Sequence, residues 1–121
     1  MLRANMHSDT LKATDDYSAA KATHPRVSLA DMEGKIARQH YFTADQAVCA
    51  AEDKVSYPGD PLAILTVCIL VMANGFTVIG KSAPASPENF DPEKGKRFAY
   101  EDAIKQLWPL EGYALRERLA A

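Results

Sequence analysis

Residues 62–82 read LAILTVCILVMANGFTVIGKS, and this stretch decides the fold. Its first half is almost entirely apolar, and the β-branched residues in it favour a strand over a helix. The dipeptide Asn74-Gly75 that follows supplies the positive φ angles of a tight hairpin turn. We therefore predict a strand over residues 62–72, a turn at Asn74-Gly75, and an antiparallel return through residues 76–82.

The predicted first strand has no polar face. Its even-numbered residues point to one side and its odd-numbered residues to the other, and both sets are largely apolar. A sheet with one solvated face would alternate apolar and polar residues. Two ways to cover the second face stay open: contact with a second copy of the chain, which we expect, or the segment 43–60 folded over it.

Helices are predicted on both sides of the hairpin. Ser28 and Asp31 have the spacing of a capping box, so we predict a helix over residues 29–40. One face of this helix would carry Leu29, Met32, Ile36 and His40. An alanine-rich second helix is predicted over residues 43–54, and the turn signal Pro58-Gly59 follows it.

The carboxyl-terminal segment begins with a strong helix signal. Asp91 and Pro92 have the character of an N-cap and a first helical residue, and an apolar stripe then continues to Trp108. Pro109 is expected to end or kink this helix, with a short terminal helix after it. The predicted class is α+β: a small antiparallel sheet built on a β-hairpin, packed with N-terminal and C-terminal helices, and oligomeric. Residues 1–26 are interpreted as a polar arm and residues 27–121 as a single ligand-binding domain.

Composition restricts the classes of function. The chain has 121 residues, of which 47% are hydrophobic and 25% charged, as expected for one compact domain. Its net charge of -2 argues against polymeric nucleic acid as a partner but allows a small phosphorylated ligand. No secretory signal is evident, and the longest apolar run is shorter than a bilayer span, so we expect a soluble protein inside the cell, without a membrane partner. Cys49 and Cys68 are interpreted as reduced thiols that fill core space rather than a disulfide.

The sequence contains no recognisable catalytic or metal-binding motif. Its three histidines are widely spaced, and it lacks a phosphate-binding loop or a nucleophile elbow. His40 lies at the end of the predicted first helix, where a histidine more often contacts backbone carbonyls than acts as a base. We therefore expect a binding protein without a catalytic residue, metal or cofactor rather than an enzyme.

Phe90 is the first candidate for a recognition residue. It precedes the predicted N-cap, where an apolar side chain would normally contact the fourth helical residue, but that residue is Gly95. Phe90 either packs into the core or offers its ring to a flat ligand such as a purine. Lys94, Lys96 and Arg97 in the same helix are either a solvated basic turn or neighbours of a phosphate bound at the helix N-terminus.

Residues 74–119 resemble a family of small phage-encoded proteins that includes the first type of Thoeris anti-defence protein. The similarity is carried by NGF, by the glycine and serine of IGKS, by PENFD, by Gly95 and by IKQLWPLEGYALRERL. Members of this type bind glycocyclic ADP-ribose, which TIR-domain enzymes make during infection, and hold it without cleaving it. The resemblance implies a homo-oligomeric sponge, a dimer or an assembly of dimers, that blocks effector activation in the cytoplasm of the infected bacterium. Some members also sequester cyclic di- or trinucleotides at separate sites.

The resemblance also implies a set of site residues. Phe90 is expected at the base, with Asn89 or Asp102 as polar contacts. The expected phosphate contacts are arginines, of which the last two would reach a pocket at a subunit boundary: Arg38, Arg116 and Arg118. The segment 43–60 has no counterpart in the family pattern. Two other functions stay open on the residues alone, a small nucleotide-modifying phage enzyme and a structural or protein-binding phage factor.

Overall fold

The structure is a computed structural model that describes residues 8–121, so the first seven residues of the predicted arm lie outside it. The elements follow in the order α1 (Asp9–Ala19), α2 (Leu29–Gly34), β1 (Ile36–Thr43), α3 (Ala44–Glu52), β2 (Thr66–Met72), β3 (Thr77–Ser82) and α4 (Pro92–Ala120). Short 3₁₀ turns lie at Pro61–Ile64 and Pro87–Asn89. The strands form one antiparallel sheet in the order β1-β2-β3, and α4 packs across one of its faces. The predicted α+β class is confirmed.

The hairpin between β2 and β3 is the one predicted. The Met72 N–H donates to the Phe76 carbonyl over 2.8 Å, and Gly75 takes the positive φ of +89° that the turn requires. Asn74 contributes differently from the expectation, because its φ is negative and its side-chain oxygen instead accepts the Phe76 N–H at 2.9 Å. The turn therefore depends on one residue with positive φ.

The helix predicted over residues 29–40 is wrong beyond Gly34. Residues 36–43 form β1, which pairs with the edge of β2 that the hairpin leaves open. A register shift between Ile36 and Arg38 lets Ile36 stay in the core while Arg38 lies on the opposite face. The apolar spacing fitted a helix, but pairing of the open β2 edge decides the conformation. Arg38 and His40 therefore lie on a strand.

The break predicted at Pro109 is also wrong, because α4 continues through it to Ala120. Proline removes the N–H that would bond to the carbonyl four residues earlier, that of Lys105. Lys105 and Pro109 are both exposed, so water can donate to the Lys105 carbonyl in place of the missing N–H. No separate terminal helix forms.

The core lies between α4 and the inner face of the sheet. Its largest fully buried side chains come from every layer: Tyr100, Leu11, Met32, Ile36, Leu70, Ile104 and Cys68. Leu11 belongs to α1, so the part of the arm from Ser8 onward is docked, and the buried Ser8 hydroxyl bonds to Glu101 of α4. Both cysteines are free, but only Cys68 fills core space as predicted, because Cys49 is half-buried on α3; burial raises the pKa of the Cys68 thiol to about 11.

The predicted helix in the segment 43–60 is confirmed as α3, with Thr43 and Gln46 forming a capping box. This helix packs mainly on the 3₁₀ turn at Pro61–Ile64 and on β1. It does not cover the outer face of the sheet completely, since Ile79 on that face is 59% exposed and its neighbours on β2 are only partly buried. Among the described residues, no helix is both long and apolar enough to traverse a bilayer.

Candidate functional site

The sheet has two ends, and the predicted site residues divide between them. The loop end comprises Thr66, Ser82, residues 83–91 and the first turn of α4. The hairpin end comprises residues 72–76 and the part of α4 that follows Leu107. Because α4 runs from the first end past the second, the two ends are connected by a single long helix.

Asn89 and Phe90 lie together in a small cavity at the loop end, termed the loop pocket. Its volume is about 170 Å³, and the residues that line it are Ser82, Ala83, Pro84, Asn89, Phe90, Asp91, Lys94, Gly95 and Phe98. The Phe90 ring lies over Gly95, where a β-carbon would be 3.6 Å from ring atom Cε1. Gly95 therefore leaves room for the ring to pack against the helix. The half-buried Phe90 side chain also forms part of the pocket wall.

The N-terminus of α4 carries its own anion. The Asp91 carboxylate accepts the N–H groups of Glu93 at 2.9 Å and Lys94 at 3.5 Å, and the Gly95 N–H bonds to the Asp91 carbonyl at 2.8 Å. Pro92 has no N–H to offer. The first turn has no backbone donor left for a phosphate, so this part of the site has only the Lys94 ammonium as a cation in the pocket lining.

The hairpin end holds a larger cavity, termed the hairpin pocket, with a volume of about 450 Å³. One wall is a face of α4 and the other is the hairpin; the lining residues are Lys35, Met72, Ala73, Asn74, Phe76, Leu107, Leu110, Glu111, Ala114 and Arg118. Arg118 was predicted from the sequence. Phe76 and Lys35 were not, although Phe76 stands in the NGF motif and its position directly after the turn was a usable signal.

Arg116 and Arg118 do not form one clamp. Two residues along a helix are separated by about 200° around its axis, so the two side chains leave α4 on different sides. Arg118 lines the hairpin pocket, while Arg116 is exposed and lines none of the cavities described here. Arg38 lies on the outer face of the sheet, opposite Val71 at the hairpin end, where its guanidinium is 3.1 Å from Nε2 of His40.

Asp102 lies between the two ends and stabilises β3. Its carboxylate accepts the Lys81 N–H at 2.9 Å, and the neighbouring Gln106 side chain donates to the Ile79 carbonyl at 2.8 Å. These bonds cover the free edge of β3 with side chains of α4. Within one chain Asp102 therefore has a structural role.

A single chain does not bring the predicted site residues together. Asn89 and Phe90 are at the loop end, whereas Arg116 and Arg118 are near the far end of α4. A helix rises 1.5 Å per residue, so Asp91 and Arg118 are roughly 40 Å apart. A ligand of nucleotide size cannot contact both groups in one copy.

Perturbed pKa values do not mark a catalytic site in either pocket. Burial raises the pKa of Tyr41 and Tyr100, and the hydroxyl of Tyr100 donates to Glu33 over 2.5 Å. Neither tyrosine lines either pocket. Over residues 8–121, no group of three His, Cys, Asp or Glu side chains is arranged to hold a metal ion.

Comparison with known proteins gives one result. Neither a curated protein nor a solved structure matches the chain. One family model does match, over residues 27–119, which is most of the chain and includes the sheet, both pockets and nearly all of α4. The chain belongs to the phage protein (N4 Gp49/phage Sf6 gene 66) family.

Proposed function

We propose that this phage protein is a sponge that binds a cyclic ADP-ribose-type signal and holds it without cleaving it, so that the signal does not reach its effector. The natural ligand is glycocyclic ADP-ribose made by TIR-domain enzymes, and the site of action is the cytoplasm of the infected bacterium. The proposal is supported by the family membership together with the resemblance of residues 74–119 to the first type of Thoeris anti-defence protein. Cyclic di- and trinucleotides are a second class of ligand to test.

The separation of the predicted ligand contacts carries the structural part of the proposal. The loop pocket has about 170 Å³, which is below the roughly 300–1,000 Å³ typical of small-molecule sites. Its lining includes the rings of Phe90 and Phe98 and the Asn89 amide, while Arg116 and Arg118 lie near the far end of α4. A second copy in the opposite orientation would place its hairpin end against the loop end of the first. A two-fold axis would then create two identical composite sites in each dimer.

The outer face of the sheet offers a surface for that contact. Its centre consists of apolar side chains from all three strands: Phe42, Val67, Ile69, Val71 and Ile79. On this face Ile79 is exposed and the other four side chains are partly exposed, and contiguous exposed apolar surface is characteristic of interaction sites. We propose a homo-oligomer in which this face is buried.

The ligand chemistry suits the residues of the composite site. Phe90 stacks on the purine, Asn89 bonds to its edge, and arginines of the second copy neutralise the pyrophosphate. A sponge is consumed one site per ligand and must bind tightly; nanomolar affinity corresponds to about -12 kcal/mol. One charge-assisted contact contributes about 1.5–3 kcal/mol, so its loss weakens binding roughly ten-fold to more than a hundred-fold.

One experiment separates the sponge from the two other functions. The protein is mixed with glycocyclic ADP-ribose, the free ligand is measured, and the protein is then denatured to release what it holds. We expect the free ligand to disappear and to return intact. Recovery of a converted product would indicate a nucleotide-modifying enzyme, and no depletion would leave a structural or protein-binding role.

Site variants test which residues hold the signal. We expect Phe90→Ala and Arg118→Ala each to weaken binding at least ten-fold in calorimetry while the protein stays folded. Matched controls are Tyr57→Ala, an aromatic residue 61% exposed outside both pockets, and Lys105→Ala, an exposed cation on α4. Wild-type affinity in both site variants would refute the assignment of the site.

A further inference from the structure

The hairpin pocket has the size and lining of a ligand site within a single chain. Its volume of about 450 Å³ falls in the range of small-molecule sites. Two large apolar side chains in its lining are only half-covered, Phe76 at 52% and Leu110 at 49% exposure. Ala114 lies one turn beyond Leu110 on the same helix face and adds to the apolar lining. The cavity therefore offers an aromatic ring and an aliphatic surface to a flat apolar group.

The polar residues of the pocket leave one positive charge without a partner. The ammonium of Lys35 is 2.6 Å from the carboxylate of Glu111, so these two charges neutralise each other. Arg118 is the remaining charged residue in the lining, and it forms no ion pair with any residue in the range 8–121. An uncompensated guanidinium beside an apolar cavity matches a ligand that carries one anionic group.

An adjoining cavity of about 280 Å³ indicates on which side the anion lies. Arg118 lines both cavities. In the adjoining cavity the guanidinium of Arg26 is 2.9 Å from the Asp15 carboxylate, and the carboxylate of Asp31 is also present. The Lys35–Glu111 pair lines both cavities, whereas the Asp31 carboxylate lines only the adjoining one, so an anion is better accommodated on the hairpin-pocket side of Arg118.

We infer that the hairpin pocket by itself binds a planar aromatic or heteroaromatic ring that carries one phosphate or carboxylate group. The ring packs on Phe76 and Leu110, and the anionic group bonds to Arg118. This inference rests on the proposed function only for its natural occupant, which would be one nucleotide half of the cyclic signal. The binding itself requires neither the loop pocket nor a second copy.

Small probes test the inference by calorimetry on the full chain. Adenosine 5′-monophosphate supplies a ring with a phosphate, indole-3-acetate a ring with a carboxylate, and adenosine and inorganic phosphate the two separate parts. We expect saturable binding of at least one of the combined probes, at least ten-fold tighter than binding of adenosine or of phosphate. Which combined probe binds identifies the anionic group. The inference would be overturned if neither combined probe bound more tightly than adenosine and inorganic phosphate.

Variants then assign the contacts. Phe76→Ala and Arg118→Ala are expected to weaken binding of the preferred probe at least ten-fold, and Arg118→Lys less than Arg118→Ala. Tyr57→Ala and Lys105→Ala serve as controls with unchanged affinity, and circular dichroism confirms that each variant is folded. Unchanged probe affinity in both Phe76→Ala and Arg118→Ala would overturn the assignment. The assignment would also be overturned if these variants had a lower oligomer mass but unchanged probe affinity. In that case the pocket would be a contact with a second copy rather than a ligand site.

The same titrations keep this inference apart from the proposed function. Binding of adenosine monophosphate or indole-3-acetate without binding of the cyclic signal supports the pocket and refutes the sponge. Binding of the cyclic signal while neither combined probe binds supports the sponge and refutes the pocket as a site in its own right.

Discussion

Gly80 lets the backbone of α4 approach β3 directly. A β-carbon at this position would lie 2.0 Å from the Ala99 carbonyl oxygen and 2.6 Å from the Ala103 backbone nitrogen. Backbone atoms of a packed helix cannot move aside as a flexible side chain can. We predict that Gly80→Ala lowers the free energy of unfolding by about 3 kcal/mol, measured by urea denaturation.

The matched control for this prediction is Gly112→Ala. Gly112 lies in α4 with nothing within 4 Å of the added carbon, so this variant should gain about 0.5–1 kcal/mol from helix propensity. If Gly80→Ala behaved like Gly112→Ala, the close contact between β3 and α4 would be incorrect.

Thr66 has a buried hydroxyl without a hydrogen-bond partner among the described residues. It is 3% exposed, and a β-carbon on Gly95 would lie 2.4 Å from its Oγ1. Replacing an unpaired buried hydroxyl by a methyl group of the same shape removes a desolvation cost. We predict that Thr66→Val raises the free energy of unfolding by about 1 kcal/mol. A loss of similar size in thermal unfolding would show that the hydroxyl has a partner.

At the scale of elements, hydrogen bonds of the Asp15 carboxylate connect α1 to the start of α2. Its carboxylate accepts the Arg26 guanidinium and the Leu29 N–H, both at 2.9 Å. Partial burial alone would raise the pKa of Asp15, but these hydrogen bonds and the nearby positive charges outweigh it and lower the pKa. A carboxyl with a lowered folded-state pKa stabilises the fold above its unfolded pKa, and this contribution is lost as the pH falls through the folded value.

We therefore predict that Asp15→Asn costs about 2 kcal/mol at pH 7 and that the difference from wild type shrinks as the pH falls below about 4. Urea denaturation across this pH range measures it. Asp16→Asn is the control, because Asp16 makes only an exposed pair with Lys12 and should change stability little. A difference that stays constant down to pH 3 would contradict the role of the carboxylate charge.

The elements differ in how far the sequence predicts them. Asn74-Gly75, the β-branched run before it and the Asp91-Pro92 cap act locally, and each led to the right element. Residues 36–40 did not, because their conformation depends on pairing with β2, which is distant in sequence. The break expected at Pro109 was wrong because a helix tolerates proline where water can reach the carbonyl four residues earlier. Exposure of Lys105 is a property of the folded chain and cannot be read from the sequence.

At the scale of the whole molecule, the sequence indicated Phe90 and Arg118 as site residues but not their separation. Their distance follows from the unbroken length of α4, which the expected break at Pro109 concealed. Phe76 was not predicted as a pocket residue, because the opposite wall of the hairpin pocket comes from α4, more than thirty residues away in sequence. The uncovered face of the sheet, by contrast, followed directly from the two apolar faces of residues 62–72.

The uncovered face makes a prediction about assembly. Ile79 is 59% exposed on the edge strand β3 of that face, so a charge there is tolerated in one chain but not in a buried contact between copies. We predict that Ile79→Asp reduces the mass measured by light scattering to that of the 13.2 kDa monomer. Tyr57→Asp, at a residue 61% exposed and outside every strand, should leave the mass unchanged. Equal masses for wild type and Ile79→Asp would exclude this face as the interface.

The central claim is that a cyclic signal is held between the loop end of one copy and the hairpin end of another. Complementation between defective chains tests it most directly. Phe90→Ala and Arg118→Ala proteins are titrated with glycocyclic ADP-ribose separately and then after equal amounts are unfolded together and refolded. Each alone should fail to bind tightly, whereas random pairing into two-fold dimers restores about a quarter of the sites to wild-type affinity. A mixture that binds no better than its two components would contradict a site shared between copies.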